Sequence, residues 1–551
     1  MKNISAKQEN YIIHISIIVI SAIFFIPFLG SVHLFDWDEI NFAESAREMI
    51  VTGNYLSVQI DYVPFWEKPP LFIWMQVLSM KIFGINEFAA RFPNVIAGIV
   101  SLLLFFNIGK RLYNNKFGLI WVLVYLGSIL PFLYFKSGII DPWFNLFIFS
   151  GLYFFILYSN KKTKKPLLMI FISAFLIGLS VLTKGPVGFL LFGLTAFIYM
   201  VLNKKYKQFL NLKVILIYAV TILFVGGFWF ILQILNGNFN IIVDFIEYQI
   251  RLFSEKDAGH GGFMLYHFVV LFFGVFPASI FALKAFKKST DINTEQKNFK
   301  QWMLILFWLV LILFTIVNTK IVHYSSLCYF PLSFLATLVI YNTLEKNETI
   351  KIWIKTLLVF VSFIIGISVI AIQFFVKYKD KIINSGLIDD EFAIANLQAN
   401  VNWSGYEFLI GIILILGVII SIFFIKTTRY QIITIFSSTL IFVNLTLFFI
   451  VPKIEKYSQN AAISFYKEIS NKDCYVNTYY FKSYAQYFYT KKNIPENKNS
   501  YDFKWLTSGN IDKPVYFICK ITSAKEFSNT FTNFEQVKSE NGFVFFLRKP
   551  L

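Results

Sequence analysis

Cysteine is nearly missing from this chain: three residues in 551, at 328, 474 and 519, with no Cys-x-x-Cys pair. That spacing excludes zinc ribbons and thioredoxin-like redox chemistry. Cys328 lies in an apolar run and reads as a small packing residue. Cys474 and Cys519 could be bridged if the tail of the chain faces an oxidising space. Histidine is also sparse, with five residues and no His-x-x-x-His array, so no motif supports a histidine-built metal centre. Acidic side chains are outnumbered, 32 against 50 Lys and Arg, for a net charge of +18. In a soluble protein such an excess can mark nucleic-acid binding. Here no basic-aromatic module of known pattern occurs, and the lysines sit in short clusters between apolar runs. Nucleic acid is therefore not an expected partner. Internal repeats, Gly/Ser linkers and low-complexity tracts are also lacking.

What the chain has in abundance is apolar surface. Hydrophobic residues make up 57% and aromatics 19%, with a mean hydropathy of +0.62. A soluble core cannot absorb that much, whereas many membrane-spanning helices can. About thirteen runs approach the ~20 apolar residues that cross a bilayer. They cover roughly 11–32, 90–108, 117–135, 142–158, 167–183, 186–202, 213–235, 263–283, 301–317, 321–341, 352–376, 406–425 and 430–451. The first follows Lys2 and Lys7 but lacks a small-x-small cleavage site, so it reads as an uncleaved helix. Lysine clusters such as Lys161/Lys162/Lys164/Lys165, Lys204/Lys205/Lys207 and Lys284/Lys287/Lys288 follow the even-numbered runs. The alternate short loops lack them. That alternation puts the N-terminus in the cytoplasm and the long 33–89 loop outside.

The expected architecture is thus mainly α and polytopic. A membrane-embedded domain fills 1–451, and its first extracytoplasmic loop (33–89) holds helices from Asp38 to about Ile50 and from Pro69-Pro70 to Phe83. Gly53 and Gly84 are placed to stop them. The second is too short to span and nearly apolar all round, so it lies in or re-enters the interface. Residues 452–551 read as a small extracytoplasmic α/β domain. Its strands are expected near 474–480, 515–521, 534–540 and 543–547, its helices near 459–470 and 482–490, and its hairpin turn at Asn541-Gly542.

Under this topology the conspicuous polar residues collect on one face. Asp36, Asp38 and Glu39 follow the first run, Asp141 opens the fourth, and Lys184 lies between the fifth and sixth. Arg251, Glu255 and His260 fall in the loop after the seventh, and Lys320, His323 and Tyr324 open the tenth. Each has a duller explanation beside the chemical one. An Asp before a helix is often only its N-cap, yet Asp38 or Asp36 could also take a proton from an incoming hydroxyl. Lys68, in Glu67-Lys-Pro-Pro70, would meet a phosphate at a helix N-terminus or simply snorkel. Lys184 and Asp141 could pair structurally. Tyr324 and His323 could donate to a phosphate or mark the aromatic belt.

Three segments together are more specific. Asp38-Glu-Ile-Asn-Phe-Ala-Glu44 with Ala46-Arg-Glu-Met-Ile50, then Phe65-Trp-Glu-Lys-Pro-Pro70, then Asn86-Glu-Phe-Ala-Ala-Arg91 resemble the polyprenyl-phosphate-dependent glycosyltransferases of the aminoarabinose transferase and protein mannosyltransferase superfamily. The resemblance implies an inverting, membrane-embedded transferase of the GT-C fold. Its donor would be a polyprenyl-phosphate-linked sugar. Its acceptor would be lipid A, another surface glycan or lipid, or an exported protein. It further implies Asp38 as catalytic base with Asp36 and Asp141 nearby, and Lys68 and Tyr324 as phosphate contacts. Lys184, Glu39, Lys320 and Arg251 would complete the substrate-binding set. Glu67 with His260 would form a divalent, zinc-like metal site, His260 being matched by loop position alone. Many relatives have Arg and Tyr where this chain has Asn41 and Phe42, so the identity of the sugar is not carried over. A lipid-linked sugar transporter is the rival outside enzymes, but the charges sit at helix ends and the two halves look unrelated.

Overall fold

The computed structural model describes residues 5–160, 163–209, 211–254, 261–287 and 293–550. Every expected apolar run is helical over most of its length. Among the described residues eight helices are long and apolar enough to cross a membrane, and ten segments qualify if each of two bent pairs is one span. The Asn115–Leu126, Val187–Leu202 and Phe408–Phe424 helices are shorter. The reasons are local. The 213–235 run bends by 54° at Gly226-Gly227, and the 263–283 run by 108° between Gly274 and Ala278. The first run stops at Phe25: Ile26 caps it, its N–H still donating to Ala22, and Pro27, with no N–H, cannot carry the ladder on.

A bilayer explains what packing does not. Only 17% of the first helix window and 28% of the Ile352–Lys377 window is buried. Such helices, apolar and uncovered, satisfy their backbone groups internally and leave their side chains for lipid.

Four helices set up the site: α1 (Ala6–Phe25), α2 (Asp38–Thr52), α3 (Leu71–Phe83) and α4 (Glu87–Leu112). Gly53 ends α2 at φ +69°, a left-handed cap that glycine adopts without strain. Asn86 caps α4 by accepting from the Ala89 N–H. Arg91, one turn into α4, spends its whole fork on the entry to α2. Nε and Nη2 reach the two Glu39 oxygens at 2.9 and 2.7 Å, and Nη1 and Nη2 donate to the carbonyls of Leu29, Val32 and His33. The loop leaving α1 is therefore fixed by a guanidinium from α4.

The tail forms a four-stranded sheet. Tyr475–Tyr479 pairs in parallel with Val515–Lys520, which pairs antiparallel with Phe543–Arg548, and Glu535–Glu540 takes the edge. Asn541 and Gly542, both at positive φ, make the hairpin turn. All three cysteines are free. Tyr479, not Tyr475, is opposite Cys519, so Cys474 and Cys519 lie about five residues apart along neighbouring strands, ~16 Å at ~3.3 Å per residue. That separation rules out the bridge the sequence had left open.

The tail and the 33–89 loop share one apolar core, in which Leu34, Ile40, Phe42 and Phe72 pack with Phe465, Tyr466, Phe488 and Phe545. Polar ties join them at the edge: Tyr489 Oη accepts from the Leu34 N–H at 2.8 Å, and Lys492 reaches Asp61 at 2.5 Å. At the opposite end of the helical body the N-terminal turn meets the basic loops. Lys110 donates to Asn10, and Lys116 to Glu345.

Within α2, Arg47 takes both oxygens of Glu44, leaving Glu48 buried beside that carboxylate. Burial, and then the Glu44 charge, push Glu48 up to about 9. A carboxyl raised in the folded state binds more protons there than in the unfolded chain. Stability is therefore lost as pH rises from the unfolded value near 4.5 through about 9. The expected outcome is a melting temperature that falls between about pH 6 and pH 9 in the wild type and markedly less in Glu48→Gln, read by thermal-shift assay. Equal slopes would mean that Glu48 is ionised in the folded protein.

Candidate active site

Asp38 is the first residue of α2, but its carboxylate caps nothing; Trp37 occupies the N-cap position, with no side-chain bond to the helix. Instead Asp38 Oδ2 lies 3.2 Å from His323 Nε2, and the same nitrogen is 3.8 Å from Asp141 Oδ2. Asp141 Oδ1 in turn accepts from Lys184 Nζ at 2.7 Å. Four side chains from four elements thus run in a line of alternating charge character.

Local sequence explains each placement. Pro142 sits in the first turn of the Asp141–Ser159 helix, where its missing N–H costs nothing, and that leaves Asp141 at the positive end of the helix. Lys184 closes the Pro166–Lys184 helix at its negative end, and Gly185 at φ +90° turns the chain away. His323 and Tyr324 belong to the short 3-10 turn Val322–Cys328.

These groups line a cavity of about 750 Å³. Asp36, Asp38 and Glu39 contribute from the loop and α2, and Glu67 and Lys68 from the segment before α3. Asp141, Lys184, Arg251 and Tyr324 complete the polar wall. Exposure separates the carboxylates. The Asp38 side chain is 43% exposed against 5% for Asp141, so Asp38 is the one an incoming group can touch. Asp36 Oδ1 accepts from the backbone N–H groups of Trp37 and Tyr484, and burial raises its carboxyl above the usual value. Lys68 is part-buried, donates to Tyr248 Oη at 3.1 Å and lies 4.5 Å from that ring's centre. Burial lowers its ammonium from the ordinary lysine value, with Glu67 the largest opposing influence. An arriving phosphate would favour the charged form again. Lys184 Nζ lies 5.3 Å from the Tyr324 ring centre, and the Arg251 guanidinium 5.3 Å from that of Tyr248.

Some expected site residues are placed differently. Lys320 does not line the cavity. It is buried, and its Nζ donates to the carbonyls of Phe314, Thr315 and Val317, satisfying the exposed C-terminal end of the Thr294–Ile316 helix. Glu39 borders the cavity, but both of its oxygens are engaged, by Arg91 and by the N–H groups of Phe35 and Gly138. It positions the loop instead of meeting a ligand. Arg251 is on the Asn240–Ser254 helix, where a loop was expected. Glu255 and His260 lie outside the described residues. Glu67 faces the cavity, and among the described residues no group of three or more His, Cys, Asp and Glu gathers as a metal cage.

Sequence reasoning passed over two participants. The sequence offers His323 only as a phosphate donor or belt residue, and nothing local signals that it lies between Asp38 and Asp141. Lys482 comes from the tail and lines the same cavity.

Comparison with known proteins returns one consistent likeness. Residues 67–229 match the family model described as dolichyl-phosphate-mannose-protein mannosyltransferase. The undecaprenyl phosphate-alpha-4-amino-4-deoxy-L-arabinose arabinosyl transferase of Pectobacterium carotovorum is 26% identical over 323 residues, 58% of this chain and 57% of that protein. The enzyme of the same name from Pectobacterium atrosepticum is 25% identical over 406 residues, 71% of this chain and 72% of the other. Among solved structures, ArnT from Cupriavidus metallidurans bound to undecaprenyl phosphate superposes with a TM-score of 0.76 at 14% identity, covering 97% of each chain. At that identity the likeness speaks for the fold.

Proposed function

We propose that this chain is a member of the GT-C superfamily of aminoarabinose transferases and protein mannosyltransferases and moves a sugar from a polyprenyl-phosphate carrier onto a hydroxyl of a lipid A-like or other cell-surface glycan. The observation that carries the reading is the single cavity in which an accessible carboxylate, Asp38, faces Lys68, Lys184 and Arg251. A base and a cluster of cations are the two things that transfer from a phosphate leaving group needs.

The derivation is direct. The donor phosphate is drawn to Lys68 and to the wall formed by Tyr324, Lys184 and Arg251. As the bond from the anomeric carbon to phosphate oxygen breaks, negative charge grows on the departing phosphate, and fixed cations stabilise it without reorganising. Asp38 takes the acceptor's hydroxyl proton while that oxygen attacks from the opposite face of the sugar, which inverts the anomeric centre. His323 Nε2, 3.2 Å from Asp38 Oδ2 and 3.8 Å from Asp141 Oδ2, lies between the two carboxylates and steadies Asp38. Lys184 orients Asp141 through the 2.7 Å contact of its Nζ to Oδ1. The site face is the outer one in this reading, because the basic loops gather with the N-terminus at the other end. The tail, packed on the 33–89 loop, would then be extracytoplasmic as well.

Lys68→Met is expected to lower kcat about 10²-fold, the usual cost of removing one donor to a developing anion. The decisive test is a strain lacking the gene, with mass spectrometry of its lipid A, other surface glycans and exported proteins. Loss of one sugar from a glycan or lipid A supports the reading. Loss from exported proteins alone would favour protein O-glycosylation, the second reading, for which the matched family model speaks.

A further inference from the structure

The helices that carry the site run on to a second cavity at their far ends. The Asp141–Ser159 helix has 19 residues. At ~1.5 Å each they put Ser159 about 28 Å from Asp141, close to the thickness of a bilayer's hydrocarbon core. There a hollow of about 570 Å³ opens, lined by Ser159 and Asn160, by residues 204–208 and by the start of the Thr294–Ile316 helix. Among its lining residues three lysines, Lys204, Lys205 and Lys207, stand against one carboxylate, Glu295. The Val187–Leu202 helix enters the hollow through a paired cap, in which the Lys204 N–H donates to the Val201 carbonyl and the Lys205 N–H to that of Met200. Glycine is usual at the left-handed position of such a cap, yet here it is Lys204, at φ +53°. Lys205 Nζ lies 3.4 Å from both Ser159 Oγ and Tyr199 Oη and so ties two helices together. Lys204 and Lys207 are exposed at the rim. Beside them Asn160 Oδ1 is buried and, among the described residues, accepts no hydrogen bond.

The outer surface of the Val187–Leu202 helix is apolar. Leu190, Phe197 and Val201 share one face of it and are exposed. Gly193 falls beside them, with nothing within 4 Å of where its side chain would be, so the stripe has a notch.

We propose that the hollow binds the phosphate head group of an anionic bilayer lipid, in the leaflet opposite the active site, with an acyl chain lying along Leu190, Gly193, Phe197 and Val201. The excess of lysine attracts the phosphate. A hydroxyl on the head group gives Asn160 Oδ1 the donor it lacks. The apolar stripe leading into the hollow favours a lipid over a soluble anion. This inference goes beyond the transferase reading and does not depend on it. Each wall of the hollow belongs to an element that also reaches the active site. The Asp141–Ser159 helix begins at Asp141, the Val187–Leu202 helix has Val187 on the site cavity, and the Thr294–Ile316 helix has Phe314 there. A bound head group therefore braces three helices at the ends remote from the chemistry, and stabilises the folded protein by mass action.

The test uses the full-length protein in detergent, with phosphatidylglycerol, phosphatidylcholine and glycerol 3-phosphate as probes and native mass spectrometry to count what is bound. The wild type is expected to bind phosphatidylglycerol about tenfold or more tightly than phosphatidylcholine, the scale of two lysines near one phosphate. Lys204→Glu/Lys207→Glu should bring that ratio to about one. Lys164→Glu/Lys165→Glu makes the same charge change at exposed lysines outside the hollow and should leave the ratio unchanged, as should Lys68→Met in the site cavity. Lys204→Gly guards against misfolding, because glycine suits the left-handed cap; it should keep the melting temperature and still lower the ratio about fivefold. Equal loss in the two double variants would reduce the effect to general surface attraction and overturn the site. So would a preference that survives in Lys204→Glu/Lys207→Glu, or one that disappears in Lys68→Met. Glycerol 3-phosphate bound as tightly as phosphatidylglycerol would make the occupant a soluble anion and overturn the lipid.

Discussion

Asp38→Asn is expected to lose transfer about 10³-fold in kcat, within the usual range for a positioned general base, while still inserting, purifying and binding polyprenyl phosphate. Asparagine keeps the shape and the contact to His323 but cannot accept the hydroxyl proton. The nearby carboxylates cannot replace it. Asp141 is only 5% exposed and committed to Lys184, and Asp36 is tied to the tail backbone. Comparing Asp38→Asn with Asp36→Asn separates the two. If Asp36→Asn is the inactive variant, the roles assigned to this pair are reversed.

The second large effect is structural. Arg91→Leu is expected to destabilise the protein by about 3–5 kcal/mol, because it leaves Glu39 buried and unpaired beneath the site. Both partners of this bridge are only 4% exposed, so water cannot take the place of the lost guanidinium. Three backbone carbonyls after α1 would lose their donor as well. Thermal unfolding followed by fluorescence-detected size exclusion reads the loss. Pairing Arg91→Leu with Glu39→Gln removes the orphaned charge and should recover part of it, since the single amide oxygen still accepts from one of the Phe35 and Gly138 N–H groups. If the double variant is no better than the single, the bridge is not what Arg91 contributes.

The sequence alone located the helices well and the site in outline. Apolar runs are a local signal, so each became a helix; their bends were not legible because Gly226-Gly227 and Gly274 break a span without breaking its hydropathy. The 36–94 motifs likewise marked the right segment, and Asp38, Lys68, Asp141 and Lys184 are brought to one cavity from stretches far apart in the chain. What one-dimensional reading could not supply was partnership. Lys320 and Lys68 look equally chemical in sequence, yet one closes a helix end and the other meets Tyr248 beside the cavity. Glu39 and Asp38 are adjacent, but the helical turn aims one at Arg91 and the other at His323. The presence of Lys482 at the cavity depends on the tail packing against the first loop, which no local pattern encodes.

The most direct check of the cavity as a transferase site is a reaction with purified protein in detergent, where no compartments remain and only chemistry can be observed. Supplied with a panel of polyprenyl-phosphate sugars and a glycolipid acceptor, the wild type should release polyprenyl phosphate and yield a product of inverted anomeric configuration from at least one donor. Intact donors throughout, together with movement of the same lipids across vesicles containing the protein, would contradict it.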